Sequence, residues 1–341
     1  MQISDYSYVL PKDKIAQYPP AVRGQSRLLV LDKNTGSTED RRYVDIVDYL
    51  DAGDVLVLNN TKVIKARLMA KDDAGSDTEL VLLEKHGKVE DRHRHKVLYR
   101  GSLYKGQIFY VGQAELHVEQ AEGGIAVVSS AYDIEDIATK NGSVPLPPYM
   151  KRDATAEDEQ RYQTVFAHAS GSVAAPTASL NMTDELLDGL RRKGVVVAYL
   201  TLHVGLGTFL PIRSDDVTEH KMHSEYFEIP EGTVRSLQQA RQRGGKIAAL
   251  GTTVARTLEF AHEEIFASDA SDVSGEADIF IYPGYEFKSV DVLITNFHAP
   301  KSTVLMLAAA FAGWDNLKYA YEHALQNSYA FLSYGDSMLI R

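Results

Sequence analysis

The sequence predicts an α/β protein: a large, mostly parallel α/β domain carrying a small inserted all-β barrel. Three observations carry that reading. No proline occurs between Pro20 and Pro145, and this stretch reads as short strands with period-2 patterning. Glycines at 75, 87, 101, 106, 112 and 123–124 punctuate those strands at hairpin-like intervals. From about residue 155 the pattern changes, and apolar strands alternate with amphipathic helices, as in βαβ units. The expected division is a discontinuous α/β domain of residues 1–61 and 146–341, with the barrel at 62–145.

The elements follow in order. VLVLNN (55–60), KARLMAK (65–71), ELVLLEK (79–85), KVLYRG (96–101), QIFYVG (107–112), ELHVEQ (115–120) and IAVVSS (125–130) are strand candidates. VPLPPYMKR (144–152) is a stiff connector, because each proline fixes φ and restricts the residue before it. Thr183 is an N-cap, followed by Asp184 and Glu185 in the first turn and by Leu186, Leu187 and Leu190 on one face. Gly194 stops that helix, and VVVAYLTL (195–202) reads as a buried strand. A helix from roughly Val234 to Arg243 ends at Gly244-Gly245, and strand KIAAL (246–250) follows. A helix then opens at Thr252-Thr253. DIFIY (278–282) and DVLIT (291–295) are strand candidates. Residues 302–313 and 316–325 are helices.

Composition narrows the function. Lys+Arg 36 against Asp+Glu 47 leaves the chain at −11, which excludes a general nucleic-acid coat but leaves room for local basic patches. With no cysteine, thiolate zinc sites, iron–sulfur clusters and cysteine nucleophiles are excluded. There is no apolar run of about 18 residues and no basic start followed by an apolar stretch, so a cytoplasmic protein is expected.

Ligands of open α/β sheets collect where strands end at their carboxyl side, and several such loops here are rich in polar residues. In the first, His203 is followed by Gly205, Gly207 and Thr208, which offers a titratable imidazole beside backbone that a ligand can approach closely. In the second, Thr252, Thr253 and Arg256 open a helix and suit a carboxylate or phosphate, with simple capping by threonine as the alternative. The third gathers Asn296, His298, Lys301, Ser302 and Thr303 but lacks the P-loop glycine pattern. His220, His223 and Glu225 contain two imidazoles and a carboxylate, yet not at the spacing of a zinc helix, and solvated polarity is the expected reading. Tyr282, Tyr285 and Asp336 offer aromatic faces and a carboxylate that suit a cation. A Ser–His hydrolase is disfavoured, since no Gly-x-Ser-x-Gly elbow occurs.

Taken in order along the chain, IAQYPP, SRLLVL, NNTKVIKARL, VPLPPYMKR, EQRYQTVFA, GSVAAPTA, TLHVGLGTF, HKMHSE, GTTVARTLE, IYPGY, TNFHAPKST and SYGDSMLI closely resemble the S-adenosylmethionine:tRNA ribosyltransferase-isomerases, the epoxyqueuosine synthase family of queuosine biosynthesis. The barrel segment matches least. One departure stands out: where the family pattern continues Gly-Leu-His-Phe-Thr, this chain has Ser179-Leu180-Asn181-Met182-Thr183.

The resemblance implies transfer and isomerisation of the ribosyl part of S-adenosylmethionine onto 7-aminomethyl-7-deazaguanine at the tRNA wobble position, with loss of adenine and methionine. It implies His203 and His298 as proton carriers. It implies Thr177, Gly205, Gly207, Thr208, His223, Glu225, Thr252, Thr253, Arg256, Tyr282, Asn296, Lys301 and Asp336 as substrate-binding residues. Lys62, Lys65, Arg67, Lys151 and Arg152 are the expected tRNA contacts, joined by Arg92 and Arg94 as basic candidates on the insertion. No metal or resident cofactor is expected, S-adenosylmethionine being consumed as a co-substrate, and a monomer is the expected state. The competing expectation, motivated by residues 179–182 and the acidic charge, is a catalytically silent paralogue that still binds tRNA or a nucleoside.

Overall fold

The computed structural model describes residues 1–84, 91–205, 212, 215–267 and 269–341. It opens with hairpin β1 (Arg27–Leu31) and β2 (Thr38–Arg42), followed by β3 (Val55–Asn59), which is buried at every position, and the short β4 (Thr61–Val63). The chain then leaves the large sheet. Strands β5 (Arg67–Asp72), β6 (Asp77–Leu82), β7 (Arg94–Tyr99), β8 (Ile108–Val111), β9 (Ala114–Glu122) and β10 (Ile125–Ser129) close into a barrel in the order β10-β7-β6-β5-β8-β9. Period-2 alternation sends Leu68, Leu80, Val97, Phe109, Leu116 and Val128 inward, where all are buried. Closure removes the unpaired edges that a six-stranded open sheet would leave. Helix α1 (Ile134–Asn141), capped by the Asp133 side chain, packs Ile134 and Ile137 against the barrel core.

The proline connector leads back through α2 (Ala156–Arg161), whose Thr155–Asp158 capping box satisfies its first turn, to β11 (Ala169–Ser172), which pairs in parallel with β4. Helix α3 (Asp184–Lys193) runs from the predicted Thr183 cap to Gly194, whose φ of 92° is the left-handed stop that glycine permits. Then come β12 (Val196–Leu202), β13 (Glu225–Ile229), α4 (Glu231–Arg243), β14 (Ile247–Leu250), α5 (Thr252–Phe260), α6 (His262–Ile265), β15 (Val273–Ala277), β16 (Val292–Asn296), α7 (Thr303–Ala312), α8 (Trp314–Gln326) and β17 (Ser337–Ile340).

The nine-stranded sheet has the order β15-β13-β12-β3-β14-β16-β17-β1-β2. Its centre, β12-β3-β14-β16, is parallel as expected. Its flanks are not: β13, β15, β17 and β2 each join antiparallel to a neighbour, so the sheet is mixed. Apolar cores cover both faces, one around α4, α5, α7 and α8 and one around α3.

Two local expectations are corrected. Helix α4 begins at Glu231, a turn before Val234, because Pro230 sits at the N-cap, where no N–H is needed. DIFIY is not a strand. The ladder to β13 is taken by Val273–Ala277 just upstream, and Phe280 and Tyr282 instead stack on each other at 5.4 Å. DIFIY is a continuous apolar run and Val273–Ala277 alternates, either of which suits a strand, but only one can reach the edge of β13.

Candidate functional site

The central strands β12, β14 and β16 end on one edge of the sheet, and a cavity opens there. Each wall comes from a different part of the chain. Gly251, Thr252 and Thr253 follow β14. Thr295 to Ala299 end β16. Pro176 to Ala178 come from the loop after β11, Val204 follows β12, and Leu332 and Ser333 precede β17. Thr177, Thr252, Thr253, Asn296 and His298, singled out from sequence, are therefore brought together. Thr177 Oγ1 donates to Asn296 Oδ1 at 3.0 Å, and Asn296 Nδ2 donates to the Asp336 carbonyl, which fixes the amide plane.

His298 is partly buried in the cavity wall, and desolvation there lowers its pKa to about 3, because a charged imidazolium would have lost much of its hydration. Its Nε2 lies 2.9 Å from the Thr295 hydroxyl, while its backbone is held from both sides: the N–H donates to Tyr321 and the carbonyl accepts from Tyr8. His298 is thus a neutral, rigid imidazole in the cavity wall.

A smaller recess shares Thr252, Thr253 and Val304 with the cavity and is lined also by Arg256 and Glu225. This pair is almost wholly out of water. Burial pulls the Arg256 pKa down to about 10, so the guanidinium stays charged at neutral pH. Thr252 and Thr253 do not cap α5 with their side chains; Gly251, at φ 104°, is its N-cap residue, and no side-chain cap bond is made. The simple capping alternative therefore fails, and both threonines line the two recesses.

His203 sits one residue from the cavity wall, directed toward the junction with β4 and β11. Its Nδ1 is 2.9 Å from Thr61 Oγ1. A Cβ at Gly171 would fall 3.0 Å from His203 Nε2, so only glycine keeps that edge of the ring clear. Gly205 donates its N–H to Glu225 at 2.8 Å, and the Glu84 carboxyl group, from the barrel, covers its other side so closely that an added Cβ would meet it at 2.5 Å.

Other expected residues lie elsewhere. Asp336 is spent on structure, accepting the N–H groups of Arg27 and Ala330 at 2.7 and 2.8 Å. Tyr282 packs on Phe280, and Tyr285 donates to Glu259. His223 and Lys301 are exposed. His220 rests edge-on against Phe280 at 5.0 Å while Glu225 faces Arg256, so His220, His223 and Glu225 do not converge. Among the described residues no group of three or more His, Asp or Glu is placed to hold a metal ion. Gly207 and Thr208 lie outside the described residues.

Of the basic candidates, Lys65 pairs with Glu159, Arg92 with Asp133 and Arg94 with Glu119, and Lys62 is exposed on β4. Arg67, Lys151 and Arg152 share one groove. Sequence reasoning missed Tyr149 as a wall of the cavity, Thr61 as the partner of His203 and Glu84 as the group against Gly205. The signal for Tyr149 was its position directly after Pro147-Pro148, a stiff lead that fixes where a side chain points.

A mixed α/β sheet with a cavity at the carboxyl ends of its parallel strands, and a closed barrel inserted after β4, defines an α/β protein with a small-molecule-sized cavity at the sheet edge. The chain belongs to the queuosine biosynthesis protein family, which matches residues 3–340. It is 54% identical over its full length to the S-adenosylmethionine:tRNA ribosyltransferase-isomerase of Chlorobium phaeobacteroides, and 53% identical to that of Chlorobaculum parvum, with 100% of each relative covered. Among solved structures it is similar to the S-adenosylmethionine tRNA ribosyltransferase of Thermotoga maritima, at 34% identity and a TM-score of 0.57, covering 99% of this chain and 100% of that one. Among the described residues no helix is long and apolar enough to cross a membrane.

Proposed function

We propose that the chain is an S-adenosylmethionine:tRNA ribosyltransferase-isomerase, which transfers and isomerises the ribosyl group of S-adenosylmethionine onto 7-aminomethyl-7-deazaguanine at the tRNA wobble position and releases adenine and methionine. The observation that carries this is the joining of two recesses across Thr252 and Thr253. The larger, with apolar walls and a few fixed hydroxyl, amide and imidazole groups, suits a nucleoside. The smaller is lined by a buried guanidinium and suits the methionine carboxylate. Full-length identity above 50% to relatives carrying this name favours the active enzyme over a silent paralogue.

The reaction asks little of the protein beyond positioning and proton transfer. The sulfonium acidifies the ribose C5′ hydrogens, so the substrate supplies its own electron sink. A base removes that proton, the leaving adenine gains one, and the RNA amine is held against the sugar while water is excluded. His203, held by Thr61 and given room by Gly171, is our choice of base, with His298 second. S-adenosylmethionine is consumed as a co-substrate, and no resident cofactor is invoked. Incubating the protein with S-adenosylmethionine and tRNA bearing 7-aminomethyl-7-deazaguanine should release adenine and add the epoxycyclopentanediol mass to that base by mass spectrometry. Adenine-free mixtures with unmodified tRNA would sink the proposal.

A further inference from the structure

A second groove lies between the barrel and the α/β domain and shares no lining residue with the cavity described above. One wall belongs to the barrel: Arg67 on β5 and Leu98, Tyr99 and Arg100 at the end of β7. The other is the proline connector with Lys151 and Arg152. In a chain of net charge −11, this gathers four cations against the carboxylates of Glu79 and Asp153.

Two of the four cations are already committed. Arg67 pairs with Glu79 at 2.7 Å and with Asp153 at 3.6 Å. Arg152 donates to both oxygens of the buried Asp158 at 2.6 and 2.8 Å, and its guanidinium lies 4.2 Å over the Tyr18 ring. Arg100 and Lys151 are exposed, and among the described residues neither makes an ion pair. Lys151 also stands at φ 47°, a left-handed conformation that a lysine adopts only at a cost. That turn leaves Met150 buried and Arg152 pinned while the Lys151 side chain stands exposed in the groove wall.

The same short segment reaches the other site. Tyr149 lines the catalytic cavity, where its hydroxyl hydrogen-bonds the Ser333 side chain, and Lys151 lines the groove. We infer that this groove seats the phosphate backbone of the tRNA anticodon loop, with Arg100 and Lys151 as its phosphate-binding cations and residues 149–152 as the rigid link between seated RNA and the cavity. This rests on the proposed tRNA-modifying activity. The chemistry fits a single-stranded loop: unpaired cations for phosphate, and a half-buried tyrosine with flat proline faces against which a base stacks. It also gives the barrel a task, since without β5 to β7 the groove has one wall.

The test uses the full chain and a fluorescein-labelled anticodon stem-loop RNA, read by anisotropy across a salt series. Arg100→Glu/Lys151→Glu should weaken RNA binding at least about tenfold and reduce the log–log salt slope by about 1.4, roughly 0.7 per lost contact to a single-strand phosphate. Affinity for S-adenosylmethionine, measured by calorimetry, should stay unchanged. Arg243→Glu, an exposed reversal on α4 away from the groove, should bind RNA within about twofold of wild type. If the double variant keeps wild-type affinity and slope, or if Arg243→Glu loses as much, the seat is elsewhere. Should the double variant fail to fold, Arg100→Glu alone, on the barrel, must still lose about 0.7 of a slope unit, or the inference falls. Adenine release by the wild-type protein separates the two readings: its absence refutes the activity, while unchanged RNA binding by the variants in an active enzyme refutes only the seat.

Discussion

The guanidinium of Arg256 and the carboxylate of Glu225 meet in the wall of the small recess, with only 6% and 3% of their side chains exposed. Glu225 is further tied to the site by the Gly205 N–H at 2.8 Å. Charges this deep are costly unless matched, so removing one leaves the other stranded. Glu225→Gln or Arg256→Met should each lower unfolding free energy by about 3–5 kcal/mol in urea titrations. The double substitution Glu225→Met/Arg256→Met should recover at least half of that loss and still bind S-adenosylmethionine poorly. Recovery of both stability and binding would show that the pair is structural only.

His298 gives stability a pH signature. Its pKa falls from 6.5 in the unfolded chain to about 3 in the fold, so the unfolded state binds the extra proton. A depressed pKa of this kind leaves stability full above about pH 6.5 and removes it as pH falls toward 3, at up to about 1.4 kcal/mol per unit. Asp158 loses solvation in the fold, yet the hydrogen bonds from Arg152, Thr155 and Tyr334 hold its carboxyl well below the usual carboxylate range, so it acts in the same direction but only below about pH 4. Urea unfolding between pH 7 and pH 5 should therefore show a slope that His298→Gln largely abolishes. An unchanged slope would mean that His298 is hydrated or charged in the folded protein.

Asn181 stands where the family resemblance puts histidine, yet it lies outside the cavity wall. Its side chain is buried and donates to the Gly335 carbonyl at 3.3 Å, bracing the turn before β17. Asn181→His should alter turnover less than about tenfold, while His203→Ala should cost on the order of 10²-fold. Thr61→Val, which deletes the hydroxyl beside His203 Nδ1, should lower kcat more than it raises KM and shift the pH–rate profile, because it acts through the imidazole. A large gain from Asn181→His beside a mild His203→Ala would overturn the assignment of the base.

Asp158 ties three segments together, accepting from Arg152, from Thr155 and from the Tyr334 hydroxyl at 2.7 Å. Asp158→Asn should destabilise the protein by about 3 kcal/mol and loosen the 149–152 segment. Proteolysis should then cut near Lys151 faster than in wild type, and the RNA-dependent rate should fall before affinity for S-adenosylmethionine does. Equal protease resistance would mean that the segment is held by its prolines alone.

Some of this was legible at the level of single residues. Local rules place the Thr183 cap and the Gly194 stop because each depends on a few adjacent groups, and both stand as expected. The barrel strands follow from period-2 burial with turn residues between them. The polar loops after β12, β14 and β16 mark the site because a parallel sheet core puts its carboxyl ends on one edge. DIFIY and the direction of β17 were not legible. Apolar patterning says that a strand can form, and the neighbour it finds decides whether and in which direction it does.

The sequence by itself determined the fold class, the loops that carry chemistry and, through a dozen ordered segments, the family. The tertiary structure alone decided which polar residues share a space. It took Asp336 and Tyr285 for structural bonds, joined Glu225 to Arg256 rather than to the histidines near it in sequence, and brought Tyr149 into the cavity wall. The physical reason is range. Capping, turns and periodicity act over a few residues, whereas burial and charge pairing depend on distances set by every strand and helix between the partners.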